Sequence, residues 1–371
     1  DYELNHPPMK LKLDTNIVKK LIVENGFFHL GIEQKLVGRS FHECFDFIQS
    51  YFSQNNIFFC ELLCQVAEKG MKLKVPDRAQ ALRMVLLELN RSLSHLFDLQ
   101  MLAKELCLRV AVDELGMLYR KIQALFVSYA GNEFGKSLIT LGGVTKDVTQ
   151  DWVSRTINEL GFIHSFIKDV KQGSFFNQIN QEIFQHHIIN KDVVAKYSLS
   201  GPVARACGVN IDLRKISPSY FYSDVDFKIP IGVHGSGRDL VEIKFAEISE
   251  SINIMTQVLD NLPTGHFIHQ DFLELFKTKT FNEEIKEPTF RDHLKRFQSL
   301  KDFSEETFIE GRNGIMGIHL DYKNNMIENI HFTISDRGIK KIFEETSKGR
   351  TLDDLALLWR EFSVDLKEVE R

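Results

Sequence analysis

The sequence lacks any apolar run long enough to cross a membrane. Its mean hydropathy is -0.17, and charged residues interrupt every apolar stretch. A membrane-spanning helix needs about 20 mainly apolar residues, and no such segment is present. The sequence therefore predicts a chain that does not span a membrane by a helix and that is either soluble or peripheral.

Cysteine is also scarce. The five cysteines are Cys44, Cys60, Cys64, Cys107 and Cys207. An odd number in apolar, helix-like segments predicts reduced thiols in a cytoplasmic compartment and not a disulfide framework. Cys60 and Cys64 lie four residues apart, but one thiol pair is too few for a closed zinc or iron–sulfur site. Their apolar neighbours favour core packing, and no metal site is predicted in this chain.

Phosphate-binding loops are absent as well. The chain contains neither a Walker loop nor a Gly-x-Gly-x-x-Gly motif. Its net charge of -5 gives no electrostatic reason to expect nucleic-acid binding. The glycine pair in His234-Gly235-Ser236-Gly237-Arg238 precedes a predicted helix, where backbone amides can bind an anion. A plain tight turn is the favoured interpretation of this motif.

The centre of the sequence carries a strong helical pattern. Pro76 and Asp77 open the longest predicted helix, with Asp77 as a candidate cap, and leucines then recur three or four residues apart to about Cys107. The other long predicted helices cover 35–69 with a break near 53–56, 109–130, 149–173 and 238–262.

Strand-like segments lie on both sides of this helical centre. Residues 11–13 and 18–23 flank a turn and predict a hairpin, and residues 308–335 alternate as a hairpin or meander followed by two closing helices. We therefore predict an α+β fold with a central bundle of long helices, a small N-terminal β-sheet and a C-terminal α/β portion. The predicted division is 1–34, 35–265 and 266–371.

Two sets of polar residues in the helical centre are candidates for a site. His95 lies opposite the leucine stripe of its helix, with Glu88 and Arg91 on the preceding turns. A solvent-facing position is the simpler interpretation, and a second buried face against a partner subunit or redox centre is the alternative.

The second set is the segment 199–214, in which three charges stand among small residues. Gly201-Pro202 forces a turn, and Arg205, Asp212 and Arg214 follow it. Two interpretations explain these charges equally well: ion pairs inside a subunit interface, or a structural salt-bridge network within the chain.

Several motifs occur in a family-specific order. They are His29-Leu30-Gly31-Ile32-Glu33, Pro76-Asp77-Arg78-Ala79, Leu87-Glu88-Leu89-Asn90-Arg91 with His95, Leu141-Gly142-Gly143-Val144, the 199–214 segment, and the final Glu368-Val369-Glu370-Arg371. In this order the chain resembles the D subunit of bacterial NADH:quinone oxidoreductase (complex I). It also resembles the large subunits of energy-converting NiFe hydrogenases and formate hydrogenlyases.

The resemblance implies a fold, partners and an activity. The fold would be that of a NiFe hydrogenase large subunit, and the partners would be a small subunit with a 4Fe–4S cluster, a C-type subunit and membrane-arm subunits. Quinone would bind between this chain and the small subunit at the cytoplasmic face of the cell membrane, and NADH would bind another subunit. The hydrogenases hold nickel and iron on two Cys-x-x-Cys pairs. This sequence has none, so hydrogen chemistry is not expected.

The resemblance also assigns roles to individual residues. His6, Tyr51 and Glu105 are candidate catalytic residues at the quinone, and His29 and His95 would lie near the partner's cluster. Arg205, Asp212, Arg214 and Glu33 would hold the interface.

Departures from the family pattern leave an alternative open. The second histidine of the N-terminal loop is absent, Leu30 replaces an arginine, and Leu102 and Glu105 stand where the family has histidine and aspartate. A carboxylate remains at Glu105, so an acid for quinone protonation is retained, but a histidine–aspartate relay is not. The alternative function is therefore a scaffold subunit of a hydrogenase-like or formate-hydrogenlyase-like complex that has lost the chemistry.

Overall fold

A computed structural model describes residues 9–23, 31–51, 56–133, 135–176, 189–270, 301–334 and 336–362. Its helices are α1 (Ile32–Leu36), α2 (Phe41–Tyr51), α3 (Asn56–Met71), α4 (Asp77–Glu105), α5 (Arg109–Ala130), α6 (Gln150–Asp169), α7 (Lys191–Lys196), α8 (Gly201–Ala206), α9 (Leu213–Ile216), α10 (Gly237–Asp260), α11 (Asp336–Thr346) and α12 (Leu352–Phe362). Its strands are β1 (Met9–Asp14), β2 (Ile17–Val23), β3 (Ile139–Thr140), β4 (Gly143–Val144), β5 (Phe303–Gly311), β6 (Gly314–Lys323) and β7 (Met326–Ile334).

The predicted α+β class agrees with this mixture of a helical centre and small antiparallel sheets. β1 and β2 form the predicted hairpin, with Thr15 in the left-handed region (φ 58°) at its turn. β5, β6 and β7 form a three-stranded meander in sequence order. The predicted alternation over 308–335 is confirmed, although β5 begins five residues earlier, at Phe303.

The long helices lie close to their predicted bounds. α4 and α5 follow each other almost without a gap, and α5 ends at Gly131, whose left-handed φ of 79° suits a glycine cap. α6 continues into a π-helical turn, Val170–Phe175. The predicted cap at Asp77 is wrong: Pro76 occupies the N-cap position, and no side chain caps this helix end.

The helices pack in layers around α4. α4 lies against α3, α5, α10 and α12, and α3 in turn packs on β5 and β6 of the meander. Most residues of α4 are buried on all sides, polar ones included, so this helix is the centre of the fold. One large apolar core joins these layers, and a smaller one lies between the N-terminal hairpin, α8 and α11.

Several predictions fall on residues outside the described ranges. They are His6, His29, the C-terminal motif 368–371 and most of 266–305. The described part of the chain contains no helix long and apolar enough to cross a membrane.

A tight contact between α8 and the β5–β6 turn explains the glycine in the Ser200-Gly201-Pro202 motif. Gly201 has a φ of 70°, and a Cβ there would lie 2.3 Å from the carbonyl of Asn313. Ser200 accepts a hydrogen bond from the amide of Ile315 (2.8 Å) at the same place. The helix and the turn can therefore approach only through a residue without a side chain.

We predict that Gly201→Ala destabilises the chain more than Gly131→Ala does. Both glycines have positive φ, so both variants carry a strain of about 1–2 kcal/mol. A Cβ at Gly131 meets no atom within 4 Å, whereas Gly201→Ala adds overpacking, which costs roughly 1–3 kcal/mol more. Urea unfolding of the two variants measures the difference, and equal losses would contradict the close approach.

Candidate functional site

Eight charged or titratable side chains meet where α4, α8, α9, α10 and the end of β5 converge. We call this set the central ion network. Each member is at most 5% exposed. The members are Glu88, Arg91, His95, Arg205, Asp212, Arg214, Glu247 and Glu310.

Arg205 links three elements of the fold. Its guanidinium on α8 donates to Oε1 of Glu247 on α10 through Nε (2.9 Å) and Nη2 (2.5 Å). Nη1 donates to Oε1 of Glu310 on β5 at 2.9 Å and lies 3.5 Å from Asp212. Burial disfavours the charged guanidinium, but the two glutamates and Asp212 outweigh it and raise the pKa of Arg205. The arginine is therefore a permanent cation that holds three layers together.

Asp212 and Arg214 form the second part of the network. Asp212 caps α9 by accepting a hydrogen bond from the amide of Arg214 (2.9 Å). It also accepts hydrogen bonds from Nε (3.0 Å) and Nη2 (2.7 Å) of the Arg214 side chain. Nη1 of Arg214 also forms an ion pair with Oε2 of Glu88 on α4 at 3.2 Å. Burial opposes ionisation of Asp212, yet Arg214 keeps its pKa below the ordinary value.

Glu88 and Arg91 extend the network along α4. Glu88 accepts hydrogen bonds from Tyr222 (2.7 Å) and Ser251 (2.6 Å). Arg91 donates to the carbonyls of Glu310 (2.6 Å) and Gly311 (2.5 Å), so it ties α4 to the end of β5. Despite burial, the neighbouring arginines lower the pKa of Glu88.

His95 is bound to this network by one hydrogen bond. Its Nε2 lies 2.8 Å from Oε2 of Glu247, and its Nδ1 is buried without a hydrogen-bond partner among the residues that the structure describes. Burial lowers the pKa of His95 more than Glu247 raises it. Burial also opposes the charge of Glu247, but Arg205 and His95 hold the pKa of that carboxyl far below its usual range. With its pKa lowered, His95 is neutral at neutral pH, and the ionised carboxylate places the ring proton on Nε2, which donates to it.

A smaller cluster adjoins His95 one turn further along α4. Asp98 lies 3.3 Å from Nζ of Lys244 and 3.6 Å from Nη1 of Arg312, and all three are nearly buried. The central ion network has four carboxylates against three guanidinium groups, and this cluster has one cation more than it has carboxylates.

The structure corrects the predicted position of His95. The simpler interpretation placed it in solvent, but α10 covers this face of α4 and the ring is 0% exposed. Arg205, Asp212 and Arg214 also lie inside the chain. Their charges pair with one another and with glutamates of α4, α10 and β5, so the contacts within this chain are those of a structural salt-bridge network.

The remaining predicted residues lie elsewhere. Glu33 joins α1 to β7 by accepting from the amide of Phe332 (2.8 Å) and pairing with His331 (3.1 Å). Glu105, the exposed last residue of α4, lies ten residues from His95, or about 15 Å along the helix. Tyr51 ends α2, half-buried, with its ring stacked on Phe47 at 5.6 Å.

Sequence reasoning did not single out Glu247 and Glu310 as site residues. Glu247 lies on a buried face of α10, and Glu310 is the next-to-last residue of β5. A carboxylate at a position that periodicity assigns to the core is the signal that could have found them, because buried charges need buried partners.

Core packing is confirmed for one of two motifs, and the other forms a helix cap. Cys60 and Cys64 are 3% and 0% exposed in the core, and burial raises the pKa of both thiols. In the 234–238 motif, Ser236 caps α10 and Asp239 completes a capping box. The carboxylate of Asp239 accepts from the amides of Val233, His234 and Ser236, so the chain's own side chain uses the amides that an anion would need.

The chain is similar to components of respiratory enzymes. Residues 118–371 match the family described as the 49-kDa subunit of respiratory-chain NADH dehydrogenase. The D subunit of NADH-quinone oxidoreductase from Ehrlichia chaffeensis is 29% identical over 269 residues, which are 70% of this chain and 67% of that protein. The D subunit from Ehrlichia ruminantium is 26% identical over 386 aligned positions, covering 99% of this chain and 95% of that protein. The C/D subunit of NADH-quinone oxidoreductase from Bdellovibrio bacteriovorus is 26% identical over 272 residues, or 70% of this chain and 47% of that protein.

We predict that Arg205→Met destabilises the chain by about 3–5 kcal/mol, because it leaves Glu247 and Glu310 buried without their counter-ion. Arg155→Met is the control, since Arg155 is 74% exposed and pairs with Asp151 on the same helix. An exposed pair of this kind contributes less than about 1 kcal/mol. Denaturant unfolding measures both losses, and similar values would show that the network does not hold the layers.

We predict a pH-dependent difference between the wild type and His95→Gln. The lowered pKa means that, below the usual histidine value of about 6.5, the unfolded wild-type chain binds a proton that the folded chain does not. The wild type should therefore lose stability relative to the variant as pH falls below that value, by at most about 1.4 kcal/mol per pH unit. Exposed His234→Gln should show no such trend, and a difference for His95→Gln that stays constant with pH would contradict the neutral assignment.

Proposed function

Because the chain belongs to the family of the 49-kDa subunit of respiratory-chain NADH dehydrogenase, we propose that it helps to form the site where electrons pass to quinone. It does so together with an iron–sulfur subunit. The observation that carries the proposal is the family match over 118–371, which includes Arg205, Asp212, Arg214, Glu247 and Glu310. The relatives are named as D subunits of NADH-quinone oxidoreductase, and these names support the same reaction.

In this proposal the chain forms part of the wall of the quinone site and carries no redox centre of its own. The partner's 4Fe–4S cluster delivers the electrons, and NADH binds another subunit. The sequence has no Cys-x-x-Cys pair, and four of its five cysteines are buried, which supports quinone over nickel chemistry. The fold proposed for the chain is that of a NiFe hydrogenase large subunit with this metal site lost.

His95 is proposed as the residue through which the central ion network acts on the partner's cluster. Its imidazole and the ionised Glu247 form a fixed dipole and charge in a dry surrounding, where electrostatic interactions are strong. Since Nδ1 is buried within this chain, the proposed effect is electrostatic and does not require a direct hydrogen bond to the cluster.

Tyr51, Glu105 and His6 are proposed to lie at the quinone, and His29 is proposed to lie with His95 near the partner's cluster. Reduction of a quinone to a quinol takes up two protons with the two electrons, so it needs donors or acids near the headgroup. Tyr51 carries a phenol, and Glu105 is an exposed carboxyl at the end of α4. Glu105 and His95 lie about 15 Å apart along α4. This separation fits two different roles, with Glu105 supplying protons and His95 tuning the cluster.

The assembly follows from the same proposal. The partners are the iron–sulfur small subunit, a C-type subunit and membrane-arm subunits, at the cytoplasmic face of the cell membrane. Similarity to the C/D protein of Bdellovibrio bacteriovorus supports a neighbour of the C type. Glu33, Arg205, Asp212 and Arg214 are proposed to act at the interface indirectly, by fixing the elements that form it.

We predict that His95→Gln lowers quinone reduction by the assembled complex by at least about tenfold, equivalent to about 1.4 kcal/mol in the barrier. The reduction potential of the partner's cluster should shift as well, because a buried group beside it has changed. Electron transfer from NADH to an artificial acceptor that reacts at the NADH-binding subunit should stay unchanged.

His234→Gln is the matched control, since His234 is exposed and should leave both rate and potential unchanged. Native gels of the purified complex verify that the His95 variant still assembles. Full quinone activity together with an unchanged cluster potential in an assembled complex would refute the proposed role of His95.

A further inference from the structure

A second buried cluster lies outside the central ion network, between α3 and α4. Glu61 and Glu68 stand seven residues apart on one face of α3, and both are buried, at 0% and 5% exposure. We call them the α3 carboxylate pair. Arg83 of α4 lies between them and is itself 0% exposed. The reaction proposed above uses none of these residues.

Arg83 forms its main ion pair with Glu68. Its Nη1 and Nη2 donate to Oε2 (3.0 Å) and Oε1 (2.6 Å) of Glu68 in a two-pronged contact. Glu68 also accepts from the amide of Gly142 at 2.7 Å. Both oxygens of Glu68 are therefore satisfied, as a buried carboxylate requires.

Glu61 is less well satisfied. Its Oε1 accepts from Gln65 (2.8 Å) and from the phenol of Tyr220, and lies 3.6 Å from Nη1 of Arg83. Its Oε2 is buried and receives no hydrogen bond from the described residues. A wholly buried carboxyl with one unpartnered oxygen is a costly place for a full negative charge.

The charges around the pair do not balance if both carboxyls ionise. Within the described residues, Arg83 is the only cation in ion-pair distance of either glutamate. The other titratable neighbours are Cys60 and Cys64 of α3 and Tyr220 of the 217–225 segment, and burial raises the pKa of all three. They stay neutral and supply no countercharge, and the β3–β4 turn contributes only backbone groups.

We propose that the α3 carboxylate pair is a proton-binding site, in which Glu61 and Glu68 together hold one proton at neutral pH and carry one negative charge against Arg83. This inference does not depend on the proposed function. The cluster lies close to the central ion network. Arg83 precedes Glu88 by five residues, which is about 7.5 Å along α4.

The direction of one pKa agrees with this charge count. Burial raises the pKa of Glu68 above its ordinary value, even though Arg83 and the amide of Gly142 act to lower it. The segment that carries Tyr220 also carries Tyr222, whose phenol donates to Glu88. The proton-binding pair and the central ion network therefore share one loop and one helix.

The test is the pH dependence of unfolding of the full chain in urea. If the folded pair keeps a proton that the unfolded chain has lost, the wild type becomes less stable as pH rises from about 4.3, the ordinary glutamate value, towards neutral. Glu61→Gln leaves one carboxylate against Arg83 and needs no bound proton. The unfolding constant of the wild type should therefore rise about tenfold per pH unit relative to that of Glu61→Gln.

Glu68→Gln provides a second, independent variant. It also leaves one carboxylate against one cation, so it should abolish the same pH trend, although it costs more stability at every pH because the two-pronged contact is lost. Glu306→Gln, an exposed change on β5, is the matched control and should keep the wild-type slope.

The infrared spectrum gives a readout that does not depend on unfolding. The wild type at neutral pH should show the C=O band of a protonated carboxylic acid, and Glu61→Gln should lack it. The proposal would be overturned if the stabilities of the wild type and of Glu61→Gln changed in parallel with pH. It would also be overturned if the wild type gained stability over the variant as pH rises. Absence of the protonated-acid band from the wild type would do the same.

Discussion

The burial of Arg205 is the constraint on which the rest of the site depends. A guanidinium with no exposure must be neutralised from all sides, and here Glu247 of α10, Glu310 of β5 and Asp212 before α9 meet it. Because these residues come from three separate elements, their positions are fixed together. Once Glu247 is fixed and ionised, it determines the orientation and protonation of His95. The geometry of the proposed site therefore begins with a charge pairing inside this chain.

Local sequence signals were enough to predict most of the elements. The hairpin of β1 and β2, the long helices α4 and α5 and the meander of β5 to β7 follow from periodicity and turn residues over short windows. The glycine at Gly201 was expected to make a turn, and the structure adds that its missing side chain lets α8 contact the β5–β6 turn. The relation to complex I came from motifs that match a known family in order. Composition and residue spacing alone did not indicate it.

The central ion network was not predictable in the same way, because its contacts connect distant parts of the chain. Arg205 meets Glu247 across 42 residues and Glu310 across 105, while His95 meets Glu247 across 152. Helical periodicity reports which side of α4 is apolar, but it does not report that α10 covers the polar side with matching charges. From the residues alone, a solvent-facing position was therefore the simpler interpretation for His95. Buried ion pairs contradict the simple rule that polar faces are exposed, and only the packing of whole helices reveals them.

The most direct test of the central claim is affinity purification of this chain from gently solubilised native membranes, with mass spectrometry of the proteins that accompany it. We expect recovery with an iron–sulfur small subunit that retains its four cluster cysteines, together with membrane-arm subunits. Recovery of the chain alone, or with a small subunit that lacks those cysteines, would contradict a role in electron transfer to quinone.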